Sequence, residues 1–172
     1  PIIKGRILKK KPKRGDVVVF KTPNDNKTDY VKTLIGLPND KIQVKNGKLY
    51  INNKIVKRDS VLNSSIKVHN NYLNDFDYVE ILPNDKKHII RELKGDDGSS
   101  DNTIVYTVPE NNFFLMGDNR DNSIDSRVLN YVGFVPFENL VGKAEIIFFS
   151  IDKHNNGLKK FWKWRIRFDR IG

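Results

Sequence analysis

Residues 113–135 read FFLMGDNRDNSIDSRVLNYVGFV. Four apolar residues, Phe113–Met116, run into eleven positions, Gly117–Arg127, that hold three aspartates, two arginines, two asparagines and two serines, with Ile124 the lone apolar side chain. A second apolar run, Tyr131–Val135, follows. Short apolar runs bounded by turn-forming residues read as buried strands. A solvated loop has no need of so many short hydrogen-bonding groups between two such strands. If the run is even partly buried, its charges must be paired and its hydroxyls bonded, because unpaired buried polar groups are expensive. The stretch therefore predicts a polar loop built between core strands, and marks it as a candidate functional region.

The same pattern extends outward. The turn Lys13-Arg14-Gly15-Asp16 precedes Val17–Phe20, a continuous β-branched run that predicts a buried strand. Thr22-Pro23-Asn24-Asp25-Asn26 breaks it, and Tyr30–Leu37 reads as a second strand, stopped by Pro38-Asn39-Asp40. Asn46-Gly47 lies between Ile42/Val44 and Leu49/Ile51, the strongest short hairpin signal available; Asn52-Asn53 makes a further turn. The core pattern resumes at Ile104–Val108 and returns at Phe134–Pro136 and Ala144–Ile151. Only near Asn139 is there a short helical stripe. Residues 57–103 differ: they are rich in Asn, Asp, Ser and Lys, with scattered aromatics (Tyr72, Phe76, Tyr78) and a turn cluster at Gly95–Ser100. The fold class predicted is mainly β, an antiparallel β-sheet domain formed by 1–56 and 104–172, with a smaller β-rich inserted domain at 57–103.

A chain of 172 residues is long enough to bury a real core as one domain with an insertion. No apolar run approaches the ~20 residues of a membrane helix, and no signal-peptide pattern is present. The start at Pro1, without Met, predicts a fragment or a processed product. The chain has no cysteine, which excludes disulfides, thiol catalysis and cysteine-ligated metals. The net charge of +10 sits at the ends. Residues 1–14 carry seven Lys/Arg and no acid, and residues 153–172 carry seven against Asp169. The ends together hold +13, so residues 15–152 hold −3. Such ends suit anionic surfaces, lipid headgroups or nucleic acid. The segment FWKWRIRF interleaves aromatics with cations, as interfacial segments do.

One residue of the 30–37 strand is out of place. Lys32 lies between Val31 and Thr33-Leu34-Ile35. It is either the solvent-facing member of a one-sided strand or a lysine held among apolar groups. In the second case desolvation disfavours the ammonium and yields a general base usable near neutral pH. A serine hydrolase needs only a base beside its hydroxyl, and Ser-Lys pairs serve on several folds.

With Lys32 in view, three ordered blocks, Lys13–Phe20 (KRGDVVVF), Asp29–Asp40 (DYVKTLIGLPND) and Gly117–Arg127 (GDNRDNSIDSR), together with Gly133–Pro136, Asn139–Gly142 and Arg170–Gly172, resemble the catalytic domain of bacterial type I signal peptidases, or leader peptidases. These are membrane-bound Ser-Lys serine proteases that remove signal peptides from exported proteins. The likeness runs from about residue 12 to the end and is weakest over 57–103. It implies that Lys32 is the general base and that Ser123 orients its amine. It makes Asp125 and Arg127 a buried ion pair bracing the loop, with Asp118 and Arg120 adding supporting bonds. No cofactor and no metal are implied. The implied partners are signal-peptide-bearing preproteins and an anionic membrane surface, with no nucleic acid; the implied place is the outer, periplasmic side of the bacterial cytoplasmic membrane. The substrate is expected to add as a strand to a sheet edge.

The family's nucleophilic serine stands upstream of the RGD block, and Pro1–Pro12 contains no serine. The chain is thus expected to carry the base and not the nucleophile, and to be inactive alone. Two positions depart from the family pattern: Thr33 stands where a basic residue is usual, and Asn39 where the turn usually has Gly. Asn tolerates a left-handed backbone; the change at Thr33 bears on the charge network around the base. The alternatives are a self-cleaving Ser-Lys repressor, which would lack the GDNRDNS block, a non-catalytic basic β-domain binding nucleic acid or membrane, and an inactive homologue.

Overall fold

Two strands explain why apolar residues occur at consecutive positions in this chain. The computed structural model describes residues 11–61 and 77–144. Within these, β2 (Asp29–Gly36) and β10 (Asn112–Met116) pair antiparallel inside a five-stranded sheet of order β11-β10-β2-β1-β12. Its other members are β1 (Val17–Lys21), β11 (Val135–Pro136) and β12 (Leu140–Lys143). Side chains alternate between the faces of a strand, and here each face meets its own core. Ile35, Phe114 and Met116 join one cluster with Ile42, Val44, Leu49 and Ile51. Leu34, Phe113 and Leu115 join another with Val18, Phe20, Val132 and Leu140. The runs LIG and FFLM are apolar throughout because both faces are covered.

The second sheet has four strands in the order β5-β4-β3-β9. Its strands are β3 (Lys41–Lys45), β4 (Lys48–Ile51), β5 (Lys54–Ile55) and β9 (Tyr106–Thr107). Asn46-Gly47 turns β3 into β4 with both residues at positive φ, 46° and 68°, and Asn52-Asn53 repeats the device at 53° and 64°. Such left-handed pairs match the right-handed twist of the flanking strands. Asn39 likewise takes φ 70°, so the Pro38-Asn39-Asp40 turn keeps its shape without glycine.

A three-stranded antiparallel sheet, β6 (Lys57–Ser60), β7 (Asp77–Ile81) and β8 (Lys87–Arg91), lies within 57–103. It touches the polar loop directly: the Arg91 amide donates to the Asp118 carbonyl at 2.8 Å, and Arg91 bridges Asn119 in parallel. The described chain is thus mostly antiparallel β, with single 3-10 turns at Arg120–Asn122 and Phe137–Asn139.

Two expectations need adjustment. Val17–Phe20 is not buried throughout: Val18 and Phe20 are fully buried, while Val17 and Val19 are half-buried. Ile104 and Val105 are exposed, 64% and 46%, and only Tyr106 and Val108 of that run enter the core. The ladder with β3 covers Tyr106–Thr107, and Thr103 bonds to Val44 before it, which leaves Ile104 and Val105 outside the ladder with their side chains in solvent. The expected strand over Ala144–Ile151 beyond Ala144, the aromatics Tyr72 and Phe76, and the basic segments 1–10 and 153–172 lie outside the described residues.

Candidate active site

β2 changes character along its length. Its first four residues alternate between exposed and half-buried, and its last four are buried. Lys32 stands at that change, on the same face as Tyr30 and Leu34 by strand alternation. Its ammonium lies 5.5 Å from the Tyr30 ring centroid. Burial pushes the Lys32 pKa below its ordinary value; Asp125 and Asp118 pull it back up in part, and the Arg127 charge adds to the lowering.

The chain leaves β10 at Gly117, beside this lysine. Lys32 Nζ donates to Ser123 Oγ at 2.8 Å across 91 positions of sequence. The approach depends on Gly117. A β-carbon there would collide with Ser123 Oγ and stand 3.3 Å from Lys32 Nζ. Gly117 is thus fixed by proximity; its absent side chain makes room for the Lys32–Ser123 contact.

The carboxylate nearest in effect to Lys32 is held fast. Asp125 is fully buried and forms a two-pronged pair with Arg127, Nε to Oδ1 at 2.9 Å and Nη2 to Oδ2 at 2.9 Å. It also accepts from the amides of Gly117 at 3.0 Å and Arg127 at 3.1 Å. Burial alone would raise its pKa, but these bonds outweigh it and hold the carboxyl below its usual range. Arg127 is bound at both ends, since its Nη2 also donates to the Arg120 carbonyl at 2.6 Å and its own carbonyl accepts from Tyr106 Oη at 3.1 Å. Ser126, fully buried, accepts from the Leu115 amide at 2.9 Å and returns its own amide to the Leu115 carbonyl at 3.0 Å. Its hydroxyl faces β10 and is taken up in the fold.

Arg120 is fixed in another way. Both its Nη atoms donate to Glu80 of β7, Nη1 to Oε1 at 2.9 Å, and both residues are buried. Burial would raise the Glu80 pKa; Arg120 and His88 bring it down to about 2. His88 of β8 bridges onward, with Nε2 2.9 Å from Glu80 Oε2 and Nδ1 3.6 Å from Asp118 Oδ1, an electrostatic contact and not a hydrogen bond. Burial disfavours its charge, yet Asp118 and Glu80 outweigh that and raise its pKa. Asp118 accepts from Thr33 Oγ1 at 2.8 Å. A neutral hydroxyl thus follows the lysine in β2, and His88 of β8, whose protonated form Asp118 and Glu80 favour, stands on the other side of Asp118.

Of the residues singled out in the sequence, Lys32, Ser123, Asp125 and Arg127 come together around Gly117. Asp118 and Arg120 face away from the amine into the Thr33–Asp118–His88–Glu80–Arg120 chain of contacts. Sequence reasoning missed Glu80 and His88, which lie in a polar, unremarkable stretch 30 or more residues from their partners in the loop, Asp118 and Arg120. The signal for Gly117 was available: a glycine at the point where a buried strand meets a polar loop. Burial thus disfavours the charge of Lys32 while one hydroxyl meets its amine and Arg127 holds the nearby Asp125, so the arrangement presents an amine of lowered pKa beside the polar loop.

Residues 3–149 match the family described as signal peptidase, peptidase S26. Among curated proteins the chain is 44% identical over 155 residues to a signal peptidase I of Rickettsia typhi, covering 87% of this chain and 57% of that protein, and equally identical to one of Rickettsia conorii, covering 87% and 56%. It thus spans little more than half the length of these relatives. A crystal structure of a signal peptidase I from Enterococcus faecalis is 29% identical, with 78% of this chain and 97% of that chain covered at a TM-score of 0.47.

Proposed function

This chain belongs to the signal peptidase, peptidase S26, family, and from that premise we propose that it is the lysine-bearing part of a serine endopeptidase that removes signal peptides from preproteins at a membrane surface. The observation that carries the reading is the 2.8 Å contact between Lys32 Nζ and Ser123 Oγ, on an amine whose burial disfavours the charged form.

In this reading the nucleophile is a serine supplied from outside these 172 residues. Its Oγ attacks the carbonyl carbon at the cleavage site while Lys32 Nζ takes the hydroxyl proton. Ser123 Oγ holds one N–H of the amine, so that the lone pair faces the nucleophile. The protonated lysine returns its proton to the departing amine as the C–N bond breaks. Water, deprotonated by the same lysine, then hydrolyses the ester. A base so placed contributes typically about 10²–10⁴ in rate. Asp125 must stay paired with Arg127, because an unpaired carboxylate would raise the lysine pKa and occupy the base with a proton. Ile124, next to Ser123, is an exposed apolar residue, 49%, and offers contact to an extended peptide. The basic terminal segments would rest on anionic lipid on the outer face of the cytoplasmic membrane. Among the described residues no helix is long and apolar enough to cross a membrane.

The test is cleavage of a signal-peptide substrate by the full-length protein. Lys32→Ala should abolish it, and Ser123→Ala should reduce it while leaving measurable activity. Unchanged cleavage in Lys32→Ala overturns the mechanism. Cleavage by the isolated 172-residue chain, with complete loss and no acyl-enzyme in Ser123→Ala, would make Ser123 the nucleophile instead.

A further inference from the structure

Outside the lysine site three carboxylates converge where β8 ends. Glu92 follows that strand, Asp101 closes the turn at 98–101, and Asp121 comes from the polar loop. One oxygen of each lies within 4.8 Å of the others. Two oxygens bound to one calcium at ~2.4 Å can stand no further apart than about 4.8 Å, so the three are close enough to share an ion.

Two of these oxygens have nothing to bind among the described residues. Glu92 is 1% exposed and its Oε2 has no hydrogen-bond partner; Asp121 Oδ1 is also shielded from solvent and without one. The opposite oxygens are committed: Asp121 Oδ2 accepts from the Lys94 amide at 2.8 Å, and Asp101 Oδ2 from the Gly98 amide. Gly98 backs onto the cluster. A β-carbon there would collide with Asp121 Oδ1 and stand 2.9 Å from Asp101 Oδ2. Of the nearby cations, Arg120 gives both Nη atoms to Glu80 while its Nε has no hydrogen-bond partner, and Arg58 binds Asp96 and the Gly47 carbonyl and pairs with Glu92 Oε1 at 3.7 Å. A buried carboxylate oxygen with no donor is costly, and here two further carboxylates stand close to the same side chain.

We propose that Glu92, Asp101 and Asp121 form a binding site for a hard divalent cation, Ca²⁺, that ties the polar loop to the end of β8. All ligands are oxygens, the donor set such an ion takes, with waters completing its shell. The ion acts on the loop that carries Ser123 and takes no part at the reacting atoms. It joins the end of β8, the turn at 98–101 and the polar loop.

The 172-residue chain is titrated with CaCl2 in a calorimeter after treatment with a chelator, and its melting temperature is followed in parallel. One Ca²⁺ per chain should bind, and at about a hundred-fold excess over Kd the melting temperature should rise by about 5–10 °C. Glu92→Gln and Asp121→Asn, each folded by circular dichroism, should lose the binding heat and the shift. No Ca²⁺ heat at millimolar concentration in the parent chain overturns the proposal and leaves a shared proton as the occupant. Equal binding in parent and both variants overturns it too. Should one variant fail to fold, the other and the parent titration still decide. None of these readouts depends on peptidase activity, so the cation site and the proposed function fail separately.

Discussion

Two buried ion pairs brace the same loop, and they differ in what they span. Asp125–Arg127 closes over two positions within the loop, whereas Glu80–Arg120 joins the loop to β7 across forty. The local pair reaches the lysine: Asp125 raises the Lys32 pKa and Arg127 lowers it. The distant pair is not among the groups that shift Lys32, and its neighbour is His88. One pair therefore sets the charge the base feels, and the other sets where the loop sits. Each costs desolvation that pairing only offsets, so neither is a simple gain in stability.

The largest effect should come from splitting the local pair. Arg127→Met leaves Asp125 buried without its cation and should cost about 4 kcal/mol in denaturant unfolding, within the range for a broken buried pair. It also removes the charge that lowers the Lys32 pKa and frees the one that raises it. The rising limb of the pH–rate profile of the full-length enzyme should therefore move to higher pH. Replacing both residues with apolar side chains leaves the Gly117 and Arg127 amides without their acceptor and should recover only part of the stability. A profile that stays in place would break the distinction between the two pairs.

Splitting the distant pair should cost less. Arg120→Met leaves Glu80 with His88, which can hold a full charge beside it, so about 3 kcal/mol is expected. The pH–rate profile should keep its rising limb while the rate falls as the loop loosens. A shift as large as that in Arg127→Met would show that both pairs act on the lysine.

This contrast also explains what the sequence discloses. The Asp125–Arg127 pair was assigned through the resemblance, and its partners lie two positions apart in one short run. The β-strands were readable from runs such as FFLM and from Asn-Gly turns, whose chemistry is local. Glu80, His88 and Thr33 were not readable as a network. Their residue types are ordinary for a polar stretch and a strand, and only the register of β7 against β8, with β8 against the loop, brings them together. Ile104 and Val105 misled for the same reason: an apolar residue announces that it prefers burial, while a partner face is a property of the fold. Lys32 stood between, conspicuous as a cation among apolar neighbours but assigned to Ser123 only through resemblance.

Gly117 connects the two regions, and filling it tests how closely they are coupled. Gly117→Ala puts a methyl where Ser123 Oγ now lies. Overpacking of this size costs about 2 kcal/mol, and the loop must withdraw from Lys32 to relieve it. Activity of the full-length protein should fall at least as far as in Ser123→Ala. Full activity with unchanged stability would mean that the Lys32–Ser123 contact is dispensable.

The smallest effect belongs to His88, and its sign distinguishes a charged bridge from a packing role. Its folded pKa lies above the ordinary 6.5 because Asp118 and Glu80 outweigh the burial that opposes its charge. The stability this supplies is fully present below about pH 6.5 and is lost as pH rises through the folded value. His88→Asn keeps a polar side chain of smaller size without the charge. It should cost about 1 kcal/mol at pH 6, and the difference from the parent should shrink toward pH 9, as measured by urea unfolding across that range. A constant difference over the same pH range would mean that His88 acts by filling space. The positive charge beside Asp118 would then have to come from Arg120 alone, and the distant pair would be doing both jobs.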